Sequence, residues 1–173
     1  MNILDENILE EQRALLQRWH VSCRQVGLEV SRKGTKDAEI IPLLLDLLHP
    51  TFFTHDMDFC RRGLCHPHYS LVILDVSKRH AAYFIRRLLR HPHFDTQAKR
   101  MGTVIRVSAT GLSVFHLHAI TEVHYPWHDT AGRTPGPALR EEAASYATEP
   151  SANDKAEGHQ PGEVSDPPSD PVL

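Results

Sequence analysis

Carboxylates placed at strand ends are the residues of this chain whose types and spacing point to chemistry. Asp5 closes a short apolar run, Asn2-Ile3-Leu4, with Glu6 and Asn7 behind it. Asp37 opens a helical stretch, Asp37-Ala38-Glu39-Ile40-Ile41. Asp56 and Asp58 end a second β-type run, Thr51-Phe52-Phe53-Thr54-His55-Asp56-Met57-Asp58-Phe59. Acids just past strand ends converge at the carboxyl edge of a parallel sheet, where open α/β sheets place their sites. Hard oxygen ligands gathered there suit Mg²⁺ or Mn²⁺. A metal held in this way lowers the pKa of a bound water and neutralises charge on a phosphate. Asp5 carries the most weight, because an acid directly after a buried strand needs a counterion or a metal. Asp37 reads equally as a helix N-cap, and Asp56 as the cap of the turn holding Asp58 and Phe59.

The elements that must position these acids follow from hydrophobic spacing. Ile3-Leu4 reads as a short buried strand. Leu9 to Val26 reads as a helix with Leu9, Gln12, Leu15, Leu16, Trp19 and Cys23 on its buried face and Gly27 as its C-terminal stop. Leu28 to Val30 is the candidate second strand. A helix from Asp37 to Leu48 would bury Ile40, Ile41, Leu44, Leu45 and Leu48, with Pro42 predicting a kink or a later start. Thr51 to Thr54 and the continuous apolar run Leu71 to Val76 read as strands, with one or two helical turns between them over Met57 to Arg62. Lys78 to Arg90 is a helix with Ala81, Phe84, Ile85, Leu88 and Leu89 on one face. Thr103 to Val107 and Leu112 to Phe115 are late strands. This order predicts an α/β fold, a three-layer α/β/α sandwich around a mostly parallel sheet.

Composition bounds the rest. Of 173 residues, residues 1–128 carry 16 Lys and Arg against 13 Asp and Glu, whereas residues 129–173 carry 3 against 9. The first segment is the predicted domain. The second is rich in Pro, Ser, Gly and acids, nearly empty of large apolar residues, and predicted to be a disordered acidic tail. Cys23, Cys60 and Cys65 are sparse and lack a CxxC spacing, which suits reduced thiols. No leader pattern opens the chain, and no apolar run approaches the roughly 20 residues of a membrane span. A cytoplasmic protein that does not engage the membrane is expected.

Leu4-Asp5-Glu6-Asn7-Ile8, Asp37-Ala38-Glu39-Ile40-Ile41 and Thr54-His55-Asp56-Met57-Asp58-Phe59, taken together, resemble a PIN-like domain. More narrowly, they resemble short bacterial PIN-like proteins that open with Asp-Glu-Asn and carry a Thr-x-Asp-x-Asp-Phe box. The VapC-type toxins of toxin–antitoxin pairs belong to the same wider group. The resemblance covers about the first 115 residues. It implies a ribonuclease in which acidic side chains bind one or two divalent metals and hydrolyse RNA. Asp5 would be the first-strand ligand, Asp37 the acid at the start of the second helix with Glu39 as its rival, Asp56 the ligand after the next strand, and Asp58 its neighbour. Glu6 and Asn7 would support the site or merely start a helix. The resemblance also implies RNA as partner, and for so small a domain a homodimer or an antitoxin-like protein.

Lys78 to Arg106 holds eight basic residues and one acid, Asp95. Beside an acidic metal centre, Arg86, Arg87 and Arg90 would contact phosphates; otherwise they form a solvated helix face. Thirteen histidines include three HxH pairs, His66 with His68, His91 with His93 and His116 with His118. Two of these pairs straddle proline, so loop histidines are expected rather than a metal site. Motifs for nucleophilic or nucleotide-binding chemistry are missing. The sequence therefore predicts metal-dependent RNA hydrolysis. The alternatives are a catalytically inactive PIN-fold module that binds RNA or protein, and a histidine-rich metal-handling protein.

Overall fold

The computed structural model describes residues 1–32 and 34–127. The side chain of Asp37 and residues 128–173, which contain the predicted tail, lie outside the described residues. Seven strands, β1 Asn2–Leu4, β2 Arg24–Gln25, β3 Thr51–Thr54, β4 Ser70–Leu74, β5 Thr103–Val107, β6 Gly111–His116 and β7 Val123–Pro126, form one sheet in the order β2-β1-β3-β4-β5-β6-β7. The first five are parallel, and β6 and β7 are antiparallel additions. The residue patterns explain the difference. Every residue of β4 is buried, as a parallel strand covered on both faces requires, whereas β6 alternates buried Leu112 and Val114 with half-buried Ser113 and Phe115.

Helices cover both faces, and the mostly parallel α/β architecture agrees with the sequence expectation. α1 Glu10–Arg18 and α3 Ala81–Leu89 pack on one face against Leu4, Phe53, Val72, Leu74, Ile105 and Val107. α2 Asp37–Asp46 and the 3₁₀ turn Met57–Phe59 pack on the other face against Ile3, Phe52, Leu71, Ile73 and Val104. A short α4, Gln97–Arg100, precedes β5. The crossovers β1–α1–β2 and β4–α3–β5 step in opposite directions across the sheet, yet both helices lie on the same face. They therefore have opposite hands, and one of them departs from the usual right-handed rule. Side by side, α1 and α3 are joined by the buried Gln12, whose Oε1 accepts from the Ala82 N–H at 3.0 Å.

The first helix is shorter than its sequence predicts. It ends at Arg18 because His20 adopts φ 58°, with His20 N–H donating to Gln17 O and Val21 N–H to Leu16 O, both at 2.9 Å. This is the 6→1 and 5→2 bonding of a Schellman stop, with Val21 and Leu16 in the same core. Histidine in the position usually taken by glycine hid the stop from sequence reading. The second strand is consequently Arg24–Gln25 rather than Leu28 to Val30. Gly27, at φ 83°, turns the chain just after it.

α2 runs without a later start through Pro42, and the hydrogen bond that proline removes falls on the exposed Ala38. Ile40 and Leu44 are buried as expected, but Leu45 and Leu48 are exposed. Leu47 ends the helix in an extended conformation and turns Leu48 outward. No described helix is long and apolar enough to cross a membrane.

Candidate functional site at the carboxyl edge

The chain leaves β1 toward β2 on one side and later returns to place β3 on the other. The carboxyl ends of β1 and β3 thus flank a topological switch point, where open α/β sheets form a crevice. Asp5 and Asp56 stand there, just past β1 and β3. The Thr54 hydroxyl joins them. It donates to Asp5 Oδ2 at 2.6 Å and accepts from the Asp56 N–H at 3.0 Å. Thr54 alternates with Phe53 along β3, so this contact lies on the sheet face that carries α2.

Asp5 is 8% exposed and makes no ion pair among the described residues. Burial lifts its carboxyl above the ordinary carboxylate range, and donors from Thr54, the Glu6 backbone and Asn7 offset this only in part. An uncompensated buried acid is costly, and a cation at this position would relieve that cost. Asn7 therefore serves the Asp5 carboxyl, while Glu6 accepts from the Gly34 N–H at 2.8 Å and ties the β2–α2 loop to the β1–α1 loop.

Asp56 caps the Met57–Phe59 turn, its Oδ1 accepting from the Asp58 N–H at 2.8 Å. Asp58 is exposed and pairs with Arg61 at 3.2 Å. A solvent-exposed pair at this spacing contributes only about 0–1 kcal/mol, so it releases Asp58 at little cost. Asp37 is the first residue of α2, and Lys36 rather than Asp37 is the N-cap. The crossover from β2 brings the start of α2 to the same carboxyl edge. Among the described residues, no three His, Cys, Asp or Glu side chains stand close enough together to hold a metal ion.

The helix arginines lie elsewhere. α3 covers the face opposite Thr54 and runs away from the carboxyl edge, which leaves Arg90 about 13 Å along the axis from Ala81. Arg86 rests over the Trp19 ring at 4.6 Å and Arg87 over the Trp127 ring at 4.5 Å. Burial and then the neighbouring Arg90 lower the Arg86 pKa. The structure therefore does not bring Arg86, Arg87 or Arg90 to the acids.

Sequence reading missed three residues of this edge. Asp75 follows β4 directly, the same signal that marked Asp5, and stands two residues past Ile73 as Asp56 stands two past its partner Thr54. Thr54 was read as the end of a strand and the first residue of the Thr-x-Asp-x-Asp-Phe box, without a role of its own. Gln25, 4% exposed, donates from Nε2 to Asp5 O at 3.0 Å and Ile8 O at 2.9 Å, which fixes the turn that presents Asp5. His55 faces the α3 side, its Nδ1–H donating to Leu74 O at 2.8 Å. Burial lowers its pKa, and Nε2 is buried with no partner among the described residues.

Thr54→Val, of nearly the same shape, is expected to lower stability by about 1–2 kcal/mol, because it leaves a buried carboxyl and an amide without their shared partner. Thermal melts of the two proteins at pH 7 measure this, and an unchanged melting temperature would mean water replaces the hydroxyl.

Comparison with protein-family models, with curated proteins and with solved structures finds no match to this chain.

Proposed function

We propose that the protein is a PIN-like, Mg²⁺- or Mn²⁺-dependent ribonuclease whose centre is built on Asp5 and Asp56, with Asp37 and Asp58 completing it. One observation carries the reading: a buried carboxyl with no ion-pair partner among the described residues, at the switch point of a parallel sheet, coupled through Thr54 to the loop of a second acid. The residues fit such an ion. Mg²⁺ keeps several waters and needs only one or two carboxylates besides the substrate phosphate, so three converged protein ligands are not required. When bound, the metal would supply an acidified water and charge neutralisation at the scissile phosphate.

The protein's own part is orientation. Gln25 fixes the turn after β1, Asn7 and Thr54 orient the Asp5 carboxyl, and Asp56 caps the turn that carries Asp58. The side chain of Asp37 enters only through its place at the start of α2. An antitoxin-like protein and a homodimer remain the partners that the resemblance implies.

A second reading, a PIN-fold module that binds RNA or protein without turnover, is favoured by the lack of a three-ligand group among the described residues. Incubating mixed single-stranded and structured RNA with wild type and Asp56→Asn, in Mn²⁺, Mg²⁺ or EDTA, separates the two. The ribonuclease reading expects metal-dependent cutting that the substitution and EDTA both suppress. Equal traces from the two proteins would leave the binding module standing.

A further inference from the structure

We propose that the open half of the sheet face bearing Thr54, centred on Arg106, carries the phosphodiester backbone of a single-stranded RNA leading away from the carboxyl edge. The proposal rests on the ribonuclease reading and places its substrate. The strand register lays one row across the sheet on this face: Thr54, Ile73, Arg106, Ser113 and His124. With strands about 4.8 Å apart, Arg106 lies two strands, about 10 Å, from the residue that holds Asp5.

Cover on this face is uneven. α2 packs over β1 and β3, and Phe59, Leu64 and Cys65 pack with Leu71, Ile73, Val104 and Phe115. Further along the row, Ser113 is half-buried and His124 exposed. Here Arg106 projects from a central strand, half-buried, with no ion pair and no side-chain hydrogen bond among the described residues. None of its nitrogens is sealed from solvent. Arg106, Glu122 and Asp75 all act on the Cys60 thiol, and the Glu122 carboxylate approaches His124 at 4.0 Å.

A guanidinium held on a sheet without a partner is a preformed anion site, and its planar fork matches phosphate oxygens. Ser113 and His124, bonded to each other at 2.9 Å, add polar groups further along. An acidic edge alone would repel RNA; a cation beside it on the same face supplies the attraction that the arginines of α3, on the other face, do not.

The test is fluorescence anisotropy of a labelled single-stranded 12-nucleotide RNA with the full chain, across a salt series, in EDTA and again with Ca²⁺. Arg106→Gln is expected to bind about tenfold more weakly. The slope of log affinity against log salt is expected to fall by about 0.7, one phosphate contact on a single strand. Arg106→Lys should keep the slope, and Arg90→Gln, on the other face, should match wild type. Wild-type affinity and slope in a folded Arg106→Gln, verified by circular dichroism, would overturn the placement while leaving the ribonuclease reading intact. Failure of wild type to bind RNA in either buffer would overturn both.

Discussion

Asp5→Asn is expected to lower RNA cleavage by at least about a hundredfold, the scale on which preorganised electrostatic groups act, and at the same time to stabilise the metal-free protein. Both effects come from one carboxyl. As a metal ligand it would be a buried anion beside the reacting phosphate. Without a cation it is a charge that the fold holds at a cost, as its upward pKa shift records. The sign follows from that shift. A carboxyl whose folded pKa lies above its unfolded value stabilises the protein fully below the unfolded value, and that contribution is lost as pH rises through the folded one.

Wild type in EDTA should therefore lose stability above the ordinary carboxylate range relative to Asp5→Asn. The gap opens as pH rises from the ordinary carboxylate range through the raised pKa of the folded state. A gain of about 1 kcal/mol, read as about 3–5 °C in melting temperature for a domain of this size, is the expected scale. Asparagine keeps an oxygen for the Thr54 hydroxyl, and the amide it sets against the Glu6 and Asn7 donors subtracts from the gain. Added Mn²⁺ should raise the melting temperature of wild type and leave the variant unmoved. A variant that melts below wild type at pH 7 in EDTA would show that the Asp5 carboxylate is satisfied by its donors, and the argument for a missing cation would fail with it.

The second large effect belongs to Gln25→Met. The two side chains have similar length and volume, so packing on β1 is kept, but the bonds from Nε2 to Asp5 O and Ile8 O are lost. Ile8 O is then left without a donor, while Asp5 O keeps the Ile8 N–H at 3.2 Å, and the loss costs about 1–3 kcal/mol. The same substitution frees the turn that aims Asp5. Cleavage should fall by about tenfold or more even where the variant is fully folded, since small misplacements of a reacting group are expensive. Urea titration gives the first quantity and initial rates below the transition give the second. Normal rates in a destabilised variant would restrict Gln25 to a structural part.

The sequence marked Asp5 and Asp56 because both obey a local rule, an acid within two residues of the end of a short buried strand. Strands β3 and β5 were legible to the residue, for Thr51–Thr54 and Thr103–Val107 have sharp polar or glycine boundaries. What stayed hidden was non-local. His20 stops α1 in a conformation that its residue type does not announce, and this moved β2 from Leu28 to Arg24 and concealed Gln25. Likewise, nothing in the amphipathic spacing of α3 says which face of the sheet it covers. Its arginines looked adjacent to the acids because they are basic and nearby in sequence, yet the crossover carries them to the far side. Arg106, a single charge inside an otherwise apolar strand, was visible all along and was counted only as one of a run. Asp75 obeyed the same rule as Asp5 and was read as part of its strand.

The chain has two tryptophans, and the stacking of Arg86 on Trp19 and Arg87 on Trp127 places both on the α3 side of the sheet. Intrinsic emission of this protein is thus a gauge of how that side is packed and is optically remote from Asp5. Loss of the guanidinium stacking on unfolding is expected to change that emission, which makes the indoles a melting probe. Titrating Mn²⁺ against that emission should give a flat line even as the ion binds. A tryptophan placed at Tyr69 or Phe59, on the opposite side, would be the reporter to build.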